Sequence, residues 1–365
     1  MAKQLDYHKT VNYDIADPAK VLAQKEGLAT AKNMPFGFRE LPGTRGESAY
    51  VFDMGQMYGA LVQEGLGTKS LIAQSIYETS GVSHFAAIAQ DTVATVINDL
   101  VSVGATPVVS NAYWSSSSYD WLADQKLTKD FIKGWRMACD AAGVTWGGGE
   151  TQALSGVVAS GRLELAGCGF GVVQPKSNLV QEKNLRVGDK IILLESSGVH
   201  ANGISLAREI AASLPNGYAS KMPDGQSFGE ALLQPTILYA SFIQDMFARN
   251  VDVHYLSNIT GHGWRKIMRA TQKYTYHIGV VPPVQPVFDF IQKHSGNSTE
   301  DMYGNYNMGA GYAVFVAPKD VAKVEAAAQQ AGIASFVAGE VHEGPKQVSI
   351  EPLKIAFSAE SLQVR

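Results

Sequence analysis

The apolar positions of this chain switch between a helical and an alternating period, and the switching predicts its elements. Residues 88–103 carry apolar side chains at helical spacing and stop at Gly104. Residues 129–142 repeat that pattern, opened by Thr128 as N-cap and closed by Gly143. Residues 107–113 and 163–173 read as strands. Residues 51–61 alternate loosely and predict a strand leading into the loop Glu64-Gly65-Leu66-Gly67-Thr68-Lys69. Val144-Thr145-Trp146 predicts a short strand before a tight turn at Gly147-Gly148-Gly149. Residues 1 to about 48, with Pro18, Pro35 and Pro42 among scattered charges, read as a docking arm or irregular leader.

A polar break over residues 174–189, with Pro175 and the turn Gly188-Asp189, predicts a boundary between domains at 1–175 and 186–365. Beyond it, 190–195 predicts a buried strand and 204–214 a helix ended by Pro215. Residues 228–249 predict mostly helix with a kink or break at Pro235, 312–316 a strand, and 319–331 an Ala-rich helix ending at Gly332. Helices and strands mix without strict alternation, so the fold class is α+β.

Composition narrows the function. The chain has 365 residues, 45% of them apolar and 18% charged, a globular profile. A net charge of −4 argues against a nucleic-acid binder. Cys139 and Cys168 lack metal-ligand spacing and read as small core residues. Met1-Ala2-Lys3-Gln4-Leu5-Asp6 has no apolar signal region, and no run reaches the ~18 apolar residues of a membrane span, so a cytoplasmic protein is expected.

Candidate chemistry lies in four places. At about 100° per residue, Asp91, Thr95 and Asn98 share a stripe, with Asp99 at its edge and Val93, Val96, Ile97 and Leu100 opposite. No Lys or Arg occurs over residues 85–121, so this ridge is either a solvated face or a metal site. The Glu64–Lys69 loop offers a carboxylate, glycines, the Thr68 hydroxyl and a lysine suited to a phosphate. Gly147-Gly148-Gly149-Glu150-Thr151 offers close backbone approach and a carboxylate. Ser196-Ser197-Gly198-Val199-His200-Ala201-Asn202-Gly203 joins a strand to a helix N-terminus, an anion-binding geometry. There His200 either serves as a proton donor or is a satisfied loop residue, and Asn202 either binds a ligand or caps the helix. No P-loop and no G-x-G-x-x-G after a strand is present.

The order of these motifs resembles the aminoimidazole ribonucleotide synthetase (phosphoribosylformylglycinamidine cyclo-ligase) family. Glu64-Gly65-Leu66-Gly67-Thr68-Lys69 is similar to the family's Asp-Gly-Val-Gly-Thr-Lys. Asp91, Asn98-Asp99-Leu100 and Gly104-Ala105-Thr106-Pro107 follow, then Gly148-Gly149-Glu150-Thr151, residues 196–203, Ile259-Thr260-Gly261 and Asn307-Met308-Gly309-Ala310-Gly311. The resemblance implies two α+β domains, the second an α/β sandwich. It implies a homodimer whose first-domain sheets form a barrel, and a small-molecule ribonucleotide substrate without nucleic-acid or membrane partners. It implies ATP-dependent ring closure of formylglycinamidine ribonucleotide to aminoimidazole ribonucleotide, in purine biosynthesis. Asp91, Asp99, Glu150 and Glu64 would hold Mg²⁺. Gly148, Gly149, Thr151 and Asn98 would contact ATP. Thr68, Ser197, Gly198, Asn202, Thr260 and Gly261 would hold substrate or phosphate, and Lys69, Asp99 and His200 would act in catalysis.

Some residues depart from the family pattern. Glu64 stands for Asp, Gly261-His262-Gly263 for a glycine triplet, Asn258 for a preceding histidine, and Gly304-Asn305 for Arg-Thr. These keep open another ATP-dependent kinase or ligase of the superfamily, or a non-catalytic nucleotide-binding paralogue. A selenophosphate synthetase is disfavoured by a leader without cysteine, and a hydrogenase-maturation relative by the C-terminus Ser361-Leu362-Gln363-Val364-Arg365.

Overall fold

A computed structural model describes residues 13–362. Residues 1–12 of the expected leader and the end of the C-terminal motif, residues 363–365, lie outside the described residues. The remainder of the leader is irregular only in part. It contains helix α1 (Tyr13–Ala29) and the short strand β1 (Arg39–Glu40). Pro18 lies inside α1, past its first turn, and the helix runs through it without that N–H.

The first half continues with β2 (Tyr50–Asp53), β3 (Tyr58–Gly65), α2 (Lys69–Ser80), α3 (Phe85–Val101), β4 (Thr106–Ser116), α4 (Asp120–Ala123), α5 (Gln125–Ala142), β5 (Thr145–Ala153) and β6 (Leu163–Val173). Its sheet runs β1-β2-β3-β6-β4-β5, and only the β4–β5 pair is parallel. The expected single strand at 51–61 is a hairpin, β2 and β3, turned where the Met54 N–H donates to the Met57 carbonyl. Glu64 and Gly65 belong to β3 rather than to a loop. Asp124, not Thr128, caps α5, its carboxylate accepting from the Lys126 and Leu127 N–H groups. Gly143 closes α5 in the left-handed conformation.

The glycine run 147–149 lies inside β5 and is not a turn. A Cβ at position 149 would stand 2.1 Å from the Ala112 carbonyl oxygen, so pairing with β4 admits only glycine there.

α3 buries most of its length against β3 and β6. A Cβ at Gly169 would approach Val96 to 2.7 Å, so β6 needs small residues on this face for α3 to sit down. The edge-packed rings of Phe85, Trp114, Trp121, Phe131 and Trp135 join α3, β4 and α5. Among the described residues no helix covers the other face of the sheet. It presents Leu61 and Gln63 exposed, with Ala166, Cys168 and Phe170 half-buried.

The second half contains β7 (Lys190–Glu195), α6 (Ile204–Ser213), α7 (Phe228–Leu232), α8 (Ala240–Ala248), β8 (Val253–Asn258), β9 (Tyr274–Ile278), α9 (Pro286–Ser295), α10 (Thr299–Asn305), β10 (Ala310–Val316), α11 (Val321–Ala331), β11 (Ser335–Glu343), β12 (Gln347–Ile350) and β13 (Ile355–Ser358). The sheet order is β13-β12-β9-β11-β7-β10-β8, parallel only between β12 and β9. Its central strands are apolar: β7 is buried over 191–194 and β10 throughout. The helical stretch expected over 228–249 is two helices, with residues 233–239 non-helical around Pro235 between them. That segment crosses onto α3 and brings the two halves together.

Candidate functional site

The polar stripe of α3 meets this crossing segment. Asp91 Oδ1 accepts from the Thr236 N–H at 2.8 Å and the Thr236 hydroxyl at 2.5 Å. The Asn98 amide donates to the Ile237 carbonyl at 2.8 Å, and its oxygen accepts from the Tyr239 N–H at 3.0 Å. Gln90 donates to the Thr236 carbonyl. Thr95 turns back on its own helix, donating to the Thr92 carbonyl. At Asp91 and Asn98 the stripe is thus neither solvated nor open to a metal. It satisfies the backbone of a non-regular strap.

Lys69 opens α2 fully buried. Its Nζ lies 2.8 Å from Asp91 Oδ2 and donates to the Gln234 carbonyl at 2.9 Å. Burial pushes the Asp91 carboxyl up and the Lys69 amine down, opposed in both by their attraction. The lysine expected to face a phosphate faces an aspartate and a carbonyl instead, because the start of α2 packs against α3.

One residue beyond Asn98 the edge of the stripe reaches the seam between the two sheets. Asp99 Oδ1 accepts from the Asn258 amide at 2.7 Å. Glu64, at the end of β3, has its carboxyl raised to about 7 by burial and then by the Asp99 charge. Across the seam, the turn after β8 carries His262 and Lys266, both 8% exposed. Burial, joined by Lys266 and Arg265, pushes the His262 imidazole down to about 3. Burial and Arg269 lower the Lys266 amine to about 8, with Asp99 and Glu64 acting against them. Lys20 of α1 adds positive potential at Glu64, His262 and Lys266. Arg269 is committed to the first half, reaching the Gly46 carbonyl, Ser48 and Glu47. The sequence reading passed over Lys266, whose only signal was its place four residues after the Thr260-Gly261-His262 loop.

The loop 196–203 is strained and anchored. His200 has a φ of +55° and is 3% exposed. Its Nε2 accepts from the Ser197 N–H at 3.3 Å, which assigns the ring proton to Nδ1. Burial and the Lys69 charge push its imidazole down to about 3. At neutral pH it is an uncharged imidazole whose Nε2 holds the loop. Asn202 makes no capping bond, since Gly203 is the N-cap of α6. Ser197 donates to the Pro235 carbonyl at 2.6 Å. Asn307 fastens the loop by accepting from the Ser196 hydroxyl and donating to the Gly198 carbonyl. The Thr260 carbonyl accepts from the Gly263 N–H, and Thr260 and Gly261 stay half-buried beside the seam.

The remaining candidates lie elsewhere. Glu150, Thr151, Gly148 and Gly149 are exposed on the edge strand β5, with Glu150 paired to Tyr113. Thr68 lines a cavity of about 560 Å³ with Gly67, Tyr113, Arg162, Glu164 and Arg208. Among the described residues no three His, Cys, Asp or Glu side chains gather closely enough to hold a metal. The expected set of Asp91, Asp99, Glu150 and Glu64 does not fit one magnesium ion within this chain. Asp91 is taken by Lys69 and Thr236, and Glu150 stands at the sheet edge.

Comparison with known proteins decides the family. Residues 46–173 match the AIR synthase related protein, N-terminal domain, and residues 186–351 its C-terminal domain. The phosphoribosylformylglycinamidine cyclo-ligase of Methanothermobacter thermautotrophicus is 33% identical over 314 residues, 84% of this chain and 86% of the relative.

The chain belongs to the aminoimidazole ribonucleotide synthetase (phosphoribosylformylglycinamidine cyclo-ligase) family.

The family relative of Methanococcus maripaludis is 31% identical over 304 residues, 82% of each chain. Among solved structures, a HypE–HypF complex matches with a TM-score of 0.61 at 17% identity, covering 92% of this chain and 99% of that one. T. maritima PurL complexed with FGAR matches with a TM-score of 0.59 at 17% identity, covering 88% of this chain and 48% of that one. AaThiL complexed with AMPPCP and TMP gives a TM-score of 0.57 at 12% identity, covering 86% and 90%. At these identities the likeness is one of fold alone.

Proposed function

We propose that this chain closes the imidazole ring of aminoimidazole ribonucleotide from formylglycinamidine ribonucleotide at the cost of one ATP, in purine biosynthesis. The observation that carries this reading is the extent of the likeness. Relatives named for that reaction are 31–33% identical over more than four-fifths of the chain, with both family domains in order. A different kinase or ligase activity would rest on likenesses of 12–17%, which carry only the fold.

In the reaction, the formamide oxygen attacks the γ-phosphorus and ADP leaves. The amidine nitrogen then attacks the activated carbon, the C–O bond breaks, and phosphate departs as the nitrogen loses its proton. The seam suits this sequence. It is half-closed to water and holds Asp99, Glu64, the neutral His262 and Lys266. We place the ribonucleotide between this cluster and the loop 196–203. There the N–H groups at the start of α6, with Gly198, Asn202 and Thr260, are assigned to its phosphate, while Ser197, whose N–H and hydroxyl are taken by His200 and the Pro235 carbonyl, holds the loop with Gly261 beside it. Neutral His200 acts by fixing that loop. Glu150, Thr151 and the glycines of β5, with Thr68, are placed on the nucleotide side. The described carboxylates do not form the expected magnesium site, so no step is assigned to a metal.

The uncovered face of the first sheet, bearing Leu61 and Phe170, is assigned to a second copy of the chain in a homodimer. A cytoplasmic location is kept as part of the same proposal. Among the described residues no helix is long and apolar enough to cross a membrane.

The test is isotopic. With ¹⁸O in the formyl group, this route delivers the label to inorganic phosphate. Label released into water would contradict activation of the formamide oxygen.

A further inference from the structure

Lys266 is 8% exposed in the seam, on the turn that follows β8. Among the described residues its Nζ makes neither a hydrogen bond nor an ion pair, and it is not among the polar atoms sealed from solvent, so it opens on the seam. An ammonium on a stem this buried gives up part of its hydration, so such a group calls for a compensating ligand. The neighbouring charges do not quench it. Asp99 is engaged by the Asn258 amide, and Arg269 is committed to Gly46, Ser48 and Glu47. Glu64 and Asp99 lie within electrostatic reach of Lys266 but beyond ion-pair distance. They reduce the cost of holding the charge without closing the space in front of it. His262, four residues earlier, is neutral and does not compete for an anion. The half-buried Thr260 at the entrance to the same turn offers a hydroxyl.

We infer that Lys266 is an anion-binding residue of the seam, receiving a phosphoryl group of a bound ligand. A compact ammonium on a flexible stem matches a phosphoryl oxygen as a point charge. The phosphoryl group belongs either to a ribose 5-phosphate monoester or to a nucleotide triphosphate. The inference rests on the proposed function only for that choice of ligands.

The experiment measures binding of ribose 5-phosphate, ATP and inorganic phosphate to the full chain and to its Lys266→Met variant by calorimetry. Methionine keeps the stem and removes an unpaired charge, so the variant is expected to melt no lower than the parent. The expected result is a loss of about 10–100-fold in affinity, the range of one charge-assisted hydrogen bond. A loss confined to ribose 5-phosphate assigns Lys266 to the monoester, and a loss confined to ATP assigns it to the triphosphate. Affinities unchanged for all three ligands, or no binding by the parent, overturn the inference. A second measurement avoids the variant. Phosphorylated ligand should slow acetylation of Lys266 in the parent protein at least several-fold, read by peptide mass spectrometry, and unchanged labelling also overturns the inference. These readouts need no turnover, so a chain inactive on formylglycinamidine ribonucleotide would sink the proposed function and leave this inference standing.

Discussion

Lys69 Nζ and Asp91 Oδ2 lie 2.8 Å apart with both side chains sealed from solvent. The contact is off hydrogen-bond alignment, so its strength is chiefly coulombic. It joins α2 to α3, and each partner also holds the 234–236 strap of the second half. Removing one partner strands a buried charge. Asp91→Ala is expected to destabilise the protein by about 3–5 kcal/mol in urea unfolding. The double variant Lys69→Met with Asp91→Leu should recover most of that loss. Full stability in Asp91→Ala would show that the pair is not the latch described.

A second pair gives the fold a pH dependence. His254 Nδ1 lies 2.8 Å from each Asp189 oxygen, nearly sealed from solvent. The hydrogen bond to Asp189 outweighs burial and raises the His254 pKa. A raised folded pKa means stability fully present below the unfolded value of about 6.5 and lost as pH rises through the folded value. Urea midpoints measured upward from pH 6 should therefore fall in the parent. They should fall less in His254→Gln, and parallel curves would contradict the linkage.

Glu64 works with the same sign through a different cause. Burial, with Asp99 second, raises its carboxyl to about 7. Its contribution is complete below the unfolded carboxyl value and is lost as the group ionises through about pH 7. Glu64→Gln should be more stable than the parent above that pH by roughly 1–3 kcal/mol and equal to it near pH 4. An acid limb near pH 7 in kcat/KM should vanish in the same variant. A limb that persists would assign it to another group.

The loop 196–203 depends on Gly203, which has a φ of +71°. A Cβ there would fall 1.9 Å from the Tyr306 ring, whose hydroxyl donates to the Gly203 carbonyl at 3.1 Å. Gly203→Ala should cost about 2 kcal/mol or more and lower substrate affinity further than Tyr306→Phe does. Melting temperature and KM together check this, and a Gly203→Ala protein with both at parental values would remove the loop from the account.

Much of the fold was legible because local rules and packing agreed. The strand at 163–173 alternates between the α3 face and the uncovered face along its whole length. The helix ending at Gly143 carried its own stop signal. The leader helix was hidden by Pro18, which lies inside it, and β5 by glycines that read locally as a turn. The stripe of Asp91 and Asn98 was legible as a polar face, but its partner was not. The backbone that satisfies Asp91 arrives from Thr236, 145 residues later. Lys69 pairs inward for the same reason, and the charges acting on Lys266 come from both halves. Such long-range pairing has no signature in a local period.

The most direct measurement incubates the purified chain with ATP, Mg²⁺ and formylglycinamidine ribonucleotide and follows product by chromatography and mass. The account predicts aminoimidazole ribonucleotide formed one-for-one with ADP and phosphate. ATP consumed without that product, or no consumption at all by a folded protein, would contradict it.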